Sequence, residues 1–182
     1  MEGNSDTLSN NFDTDTLDFG HLSQTVFKIY ISGYKNAQNV GDDDGNPPTN
    51  HWAAFLQLSE ASSVRLDMAP GYGSDGLRGK IELASKEYVS TRNAIKTLSF
   101  ALEIPTTVKA ILDIIVSNGR DKYMFTEEEE GCRFWIWTLL SDLEAAGIVS
   151  KGSADATLEA VSYYWRTPQG TDANPLKEGR FY

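Results

Sequence analysis

The chain carries a single cysteine, Cys132, and only two histidines, His21 and His51. One thiol cannot form an internal disulfide, and no N-x-Ser/Thr sequon is present, which together favour a reducing, cytoplasmic setting. No apolar run approaches the roughly 20 residues that span a bilayer, so no integral membrane segment is expected. The first residues lack a charged start followed by an apolar stretch, so they do not read as a secretory signal. Basic residues are scarce, with 16 Lys plus Arg against 26 Asp plus Glu and a net charge of −10. An acidic surface repels phosphate backbones, so nucleic acid is not an expected partner. Nitrogen and sulfur ligands are too few to argue for a metal. The acidic run Asp42-Asp43-Asp44 lacks the alternate spacing and closing Glu of a calcium loop, and reads as a solvated loop. Neither metal nor cofactor is therefore expected.

What is present is enough apolar material for a core. Forty per cent of the 182 residues are apolar and 11% are aromatic, which suits one domain better than two. Residues 1–22 hold Glu2, Asp6, Asp13, Asp15 and Asp18 without a Lys or Arg, and are expected to be a disordered acidic tail. Residues 23–182 are expected to form a single globular domain. Strand patterns cover Val26–Ile31, His51–Leu58, Val64–Met68, Lys80–Leu83 and Lys96–Leu102, with short connections that favour an antiparallel meander. Gly71-Tyr72-Gly73-Ser74-Asp75-Gly76 matches G-x-G-x-x-G, but a strand follows where a dinucleotide site needs a helix, so the segment reads as a turn.

Helical spacing comes later. Pro105 suits a first helical position, Val108, Ile111, Leu112 and Ile115 follow, and Gly119 stops the run. A second helix is expected to start at a Thr126/Glu129 capping box and end at Gly147, with Cys132, Trp135, Ile136, Leu139, Leu140 and Leu143 on one face. Residues from Ala154 to Trp165 fit a third helix or a late strand. Strands first and helices later predict an α+β fold, about five antiparallel strands against two or three helices.

Two chemical readings compete. In the first, His51 and Tyr123 are catalytic donors, Asp67 orients His51, and Trp52, Arg65, Tyr72 and Trp135 bind an apolar small-molecule substrate. Such a pocket, apolar with a few convergent polar groups, suits cofactor-independent cyclisation or isomerisation. In the second, Cys132 is a nucleophile, His51 its base and Asp67 the group that orients the base. Against a nucleophile stand the expected sixth place of Cys132 in its helix, the four preceding glutamates, and an apolar stripe where a cysteine merely packs. A non-catalytic binding or interaction module is the third alternative. The oligomeric state does not follow from the sequence.

Histidine on a strand followed by cysteine on a later helix resembles the circularly permuted papain-like folds of the NlpC/P60 and lecithin:retinol acyltransferase kind. In those families the cysteine stands at the helix start, and here the sequence places it deeper. Asn50-His51-Trp52, Val64-Arg65-Leu66-Asp67-Met68, Gly131-Cys132-Arg133-Phe134-Trp135 and Asp142-Leu143-Glu144-Ala145-Ala146-Gly147 resemble a fungal family of unknown function over about residues 25–166. That resemblance implies a fungal origin and a setting in secondary metabolism.

Overall fold

A computed structural model describes residues 8–37, 48–166 and 170–182. The acidic run Asp42-Asp43-Asp44 lies outside them. In chain order the elements are β1 (Phe12–Thr16), a 3-10 turn (Phe19–Ser23), β2 (Thr25–Lys35), β3 (Asn50–Gln57), β4 (Ser63–Tyr72), β5 (Arg78–Lys86) and β6 (Ala94–Thr107). They continue with α1 (Val108–Ser117), β7 (Tyr123–Met124), α2 (Cys132–Ala145), α3 (Ser153–Val161), β8 (Tyr163–Arg166), β9 (Gly170–Ala173) and β10 (Arg180–Phe181).

The α+β expectation stands, with a larger sheet than predicted. Strands run in the order β10-β7-β5-β4-β3-β2-β6, and β1 joins β5 in parallel to give eight strands. All five predicted strands lie in that sheet as the consecutive run β5-β4-β3-β2-β6, with β6 at its edge. The additional ones, β1, β7 and β10, are two to five residues long and carry too few apolar positions for alternation to reveal them. β8 and β9 form a separate ribbon.

Alternation fixes which face meets the helices. Trp52, Ala54 and Leu56 of β3, Val64, Leu66 and Met68 of β4, and Ile81 and Leu83 of β5 join Ile111, Ile115, Trp135, Ile136 and Leu139 in one buried apolar cluster. His51, Arg65 and Asp67 occupy the intervening positions and so belong to the opposite face. β3 and β4 pair only from Ala54↔Leu66 to Gln57↔Ser63, so residues 50–53 of β3 pair with β2 alone. The start of α2 approaches the sheet beside this gap, and the helix packs on both strands.

Three local expectations are corrected. Residues 8–22 are ordered, because Phe12 and Leu17 find buried places and β1 gains a hydrogen-bonded partner in β5. Pro105 lies at the end of β6, and α1 is capped instead by the Thr107 side chain, which accepts from the Ala110 amide at 3.2 Å. The Thr126/Glu129 box closes a turn and not a helix. The Thr126 amide donates to the Glu130 carbonyl, the Thr126 hydroxyl accepts from the Glu130 amide, and α2 begins only after Gly131. At its other end the prediction holds. Gly147 has φ 69°, the Ile148 amide reaches the Leu143 carbonyl, and the Gly147 amide reaches that of Glu144, a Schellman cap. Gly71–Gly76 is the β4–β5 turn, closed by a 2.7 Å bond from the Gly71 amide to the Gly76 carbonyl. Residues 153–166 are a helix followed by a strand.

Candidate functional site

Cys132 is the first residue of α2, not the sixth. At that position the sulfur lies near the unpaired amides of the first helical turn, where the helix dipole favours an anion. The half-buried thiol lies beside the His51 ring and the Trp52 backbone amide, both of which favour its anion, and the missing β3–β4 pairing leaves that amide accessible. The second ring nitrogen of His51 is also engaged. His51 Nε2 lies 2.5 Å from Asp67 Oδ1, so Nδ1 is the nitrogen left to face the thiol. Asp67 is nearly buried and has further partners on its other oxygen. The Tyr34 hydroxyl donates to Oδ2 at 3.3 Å, and Arg65 Nη1 stands 3.6 Å away. Tyr34 sits opposite His51 in the β2–β3 ladder, and their rings meet edge to face with centroids 5.3 Å apart.

The electrostatics follow from these contacts. Burial alone would raise the Cys132 thiol, but the charge and hydrogen bond of His51, the Trp52 amide and the Arg133 charge outweigh it and hold the thiol below its ordinary 9.0. Burial would lower His51, but the sulfur and the Asp67 carboxylate hold it well above 6.5. Burial opposes the Asp67 anion too, yet His51, Arg65 and Tyr34 keep it below 3.8. Such an arrangement favours a thiolate beside an imidazolium. The preceding glutamates do not prevent this, because Glu130 is held by Arg133 at 3.0 Å and Lys177 at 3.3 Å.

Cys132 and His51 both open onto a cavity of about 460 Å³, whose walls also include Tyr34, Lys35, Asn50 and Glu82. The lining is mixed in polarity, not the apolar one expected. Trp52 and Trp135 are fully buried in the core and do not line it, since Trp52 lies on the helix-facing side of β3 and Trp135 in the apolar cluster between α2 and the sheet. Arg65 stands behind the site, bridging Asp67 to Glu82, which it meets at 3.2 Å. Tyr72 lies at the far end of β4, where its hydroxyl contacts Asp13 and Lys80 covers its ring. Tyr123 is buried, and its hydroxyl donates to the Gly131 carbonyl at 2.9 Å, so it touches the chain beside Cys132 and not the cavity. Burial pushes that hydroxyl's pKa up. The predicted residues His51, Asp67 and Cys132 therefore come together, and Trp52, Trp135, Tyr72 and Tyr123 do not join them at the cavity. Tyr34 is the member that sequence reasoning missed. Following β2 past Ile31 through Ser32 and Gly33 would have placed it beside His51.

A family model described as a domain of unknown function (DUF7770) matches residues 29–182. The chain belongs to this family. The DUF7770 match spans Tyr34, His51, Asp67 and Cys132 and begins within β2, leaving β1 and the 3-10 turn outside it. No curated protein and no solved structure matches the chain. Among the described residues no cluster suited to a metal ion occurs, and no helix is long and apolar enough to cross a membrane.

Proposed function

We propose that this protein is a cysteine-dependent acyltransferase or hydrolase, with Cys132 as nucleophile, His51 as acid–base and Asp67 as the group that orients His51. The observation that carries the reading is the place of Cys132 at the first position of α2, facing the same cavity as a histidine whose Nε2 is bound to a buried carboxylate. The Cys132 sulfur attacks the acyl carbon of an ester, thioester or amide, and the carbonyl π electrons move onto oxygen. The free amide of Cys132 at the helix start is suited to meet that oxyanion. Collapse expels the alcohol, thiol or amine, which takes its proton from the His51 imidazolium, and leaves a thioester on Cys132. His51, now neutral, removes a proton from water or an acceptor, which attacks the thioester and returns the thiolate and the product. Tyr34 and Arg65 support Asp67 throughout.

Histidine on a strand before a helix-start cysteine is also the order of the permuted papain-like folds, and the shallower place of Cys132 brings the chain nearer that pattern. The cyclisation or isomerisation of an apolar metabolite loses support, since the tryptophans assigned as walls pack in the core and the cavity lining is mixed in polarity. Two measurements test the reading. Iodoacetamide should alkylate native Cys132 rapidly near neutral pH, and His51→Ala should slow this at least about tenfold, the effect of one unit in thiol pKa. p-Nitrophenyl acetate should leave one acetyl group on Cys132, and none on Cys132→Ala. A thiol that reacts only after unfolding would overturn the proposal.

A further inference from the structure

The residues on either side of Cys132 are both tied to the far end of the chain. Tyr123 Oη donates to the Gly131 carbonyl at 2.9 Å and accepts from the Gly179 amide at 3.1 Å. The fit is close, for a Cβ added at Gly131 would stand 2.8 Å from that hydroxyl. On the other side Arg133 is buried. It donates to the Asn174 carbonyl at 2.6 Å, to Asn174 Oδ1 at 3.3 Å and to the Pro175 carbonyl at 3.2 Å. Asn174 continues the chain of contacts, since its Nδ2 donates to the Pro48 carbonyl at 3.3 Å, three positions before His51. One short stretch, 174–179, thus holds both neighbours of the nucleophile and the approach to the strand bearing the base.

We infer that the segment 174–179, acting through Tyr123 and Asn174, is a strap that sets the Cys132–His51 separation, and that Tyr123 and Asn174 are positioning residues for the thiolate. The inference rests on the nucleophile reading above. It adds that the strap governs the state of the thiol and not only the stability of the fold. Gly131 supplies the carbonyl that accepts the first helical bond, from the Trp135 amide at 3.0 Å, so whatever fixes Gly131 fixes the direction in which α2 leaves its first residue. Sulfur–imidazole pairing tolerates little displacement, because both the hydrogen bond and the mutual charge weaken with separation.

The test is the pH profile of Cys132 alkylation by iodoacetamide in the folded full chain, measured with Tm. Tyr123→Phe keeps the ring and removes the hydroxyl. It should slow neutral-pH labelling by about tenfold and move the profile up by about one unit. Ile136→Val, in the apolar face of the same helix, should lower Tm and leave the profile as in the wild type. Should Tyr123→Phe fail to fold, Asn174→Ala faces the same two readouts. Wild-type labelling in a folded Tyr123→Phe, or in Asn174→Ala where only that variant folds, would overturn the strap. A profile that shifts equally in Ile136→Val would reduce the strap to stability alone and overturn it too. Failure of the nucleophile reading itself is recognised separately, by a wild-type thiol that does not label near neutral pH, and it removes the strap's role with it.

Discussion

Asp67 binds three groups from three directions: His51 at 2.5 Å, Tyr34 at 3.3 Å and Arg65 at 3.6 Å. Replacing it with Asn leaves a buried imidazole without its anion, and a charged hydrogen bond of this kind is worth about 1.5–3 kcal/mol. The pH window of that contribution follows from the two shifts. His51 is raised on folding, so its share is fully present below 6.5 and is lost as pH rises through its folded value. Asp67 is lowered, so its share is present above 3.8 and is lost as pH falls through its folded value. Asp67→Asn is therefore expected to cost most between these limits, and urea midpoints of the two proteins should converge at either extreme. In the same variant the upper pH limit of acyl transfer should move down, because the Asp67 contribution to holding the proton on His51 is gone. Unchanged profiles would remove Asp67 from its orienting role.

At the scale of elements, the site depends on how β2, β3 and α2 meet. Gly33 of β2 lies opposite Trp52 of β3, and a Cβ there would stand 2.7 Å from the indole. Gly33→Ala is expected to cost about 1–3 kcal/mol by overpacking, read as a fall in Tm. The Trp52 backbone would shift with its ring, so Cys132 labelling should also slow. The five long strands were legible because their alternation repeats over several residues, and the end of α2 because Gly147 is a strong local signal. The start of α2 was not. Thr126 and Glu129 have the right spacing for a capping box, yet the chain closes a turn there, and Gly131 defers the helix by one further step. That five-residue error reversed the chemical reading, since it moved Cys132 from the middle of an apolar stripe to a helix end. Tryptophans 52 and 135 misled in the opposite direction, because an aromatic beside a candidate site residue looks the same in sequence whether it faces a cavity or the core.

Across the whole molecule, β1 is separated from the Asp67 strand by β5, and no β1 residue lines the cavity. β1 adds Phe12 to the core, with Leu17 just beyond its end, and a parallel partner to β5, although it lies outside the family match. Deleting residues 1–17 should therefore cost about 3–6 kcal/mol, at about 1.5–3 for each buried side chain, and lower Tm strongly. Where the shortened chain still folds, Cys132 should label as before, and a lost thiolate would show that β1 matters to the site. His51 and Cys132 are 81 positions apart, so nothing in the extended chain brings them together. The usual relation between a cysteine and its protein is thereby inverted. Most partly buried thiols are protected by the fold and exposed by denaturant. Here denaturation returns the thiol toward its ordinary 9.0 and takes away its base, so at neutral pH the native protein should react faster than the unfolded one. A single chemical label would then count folded molecules directly, during refolding or in a crude extract.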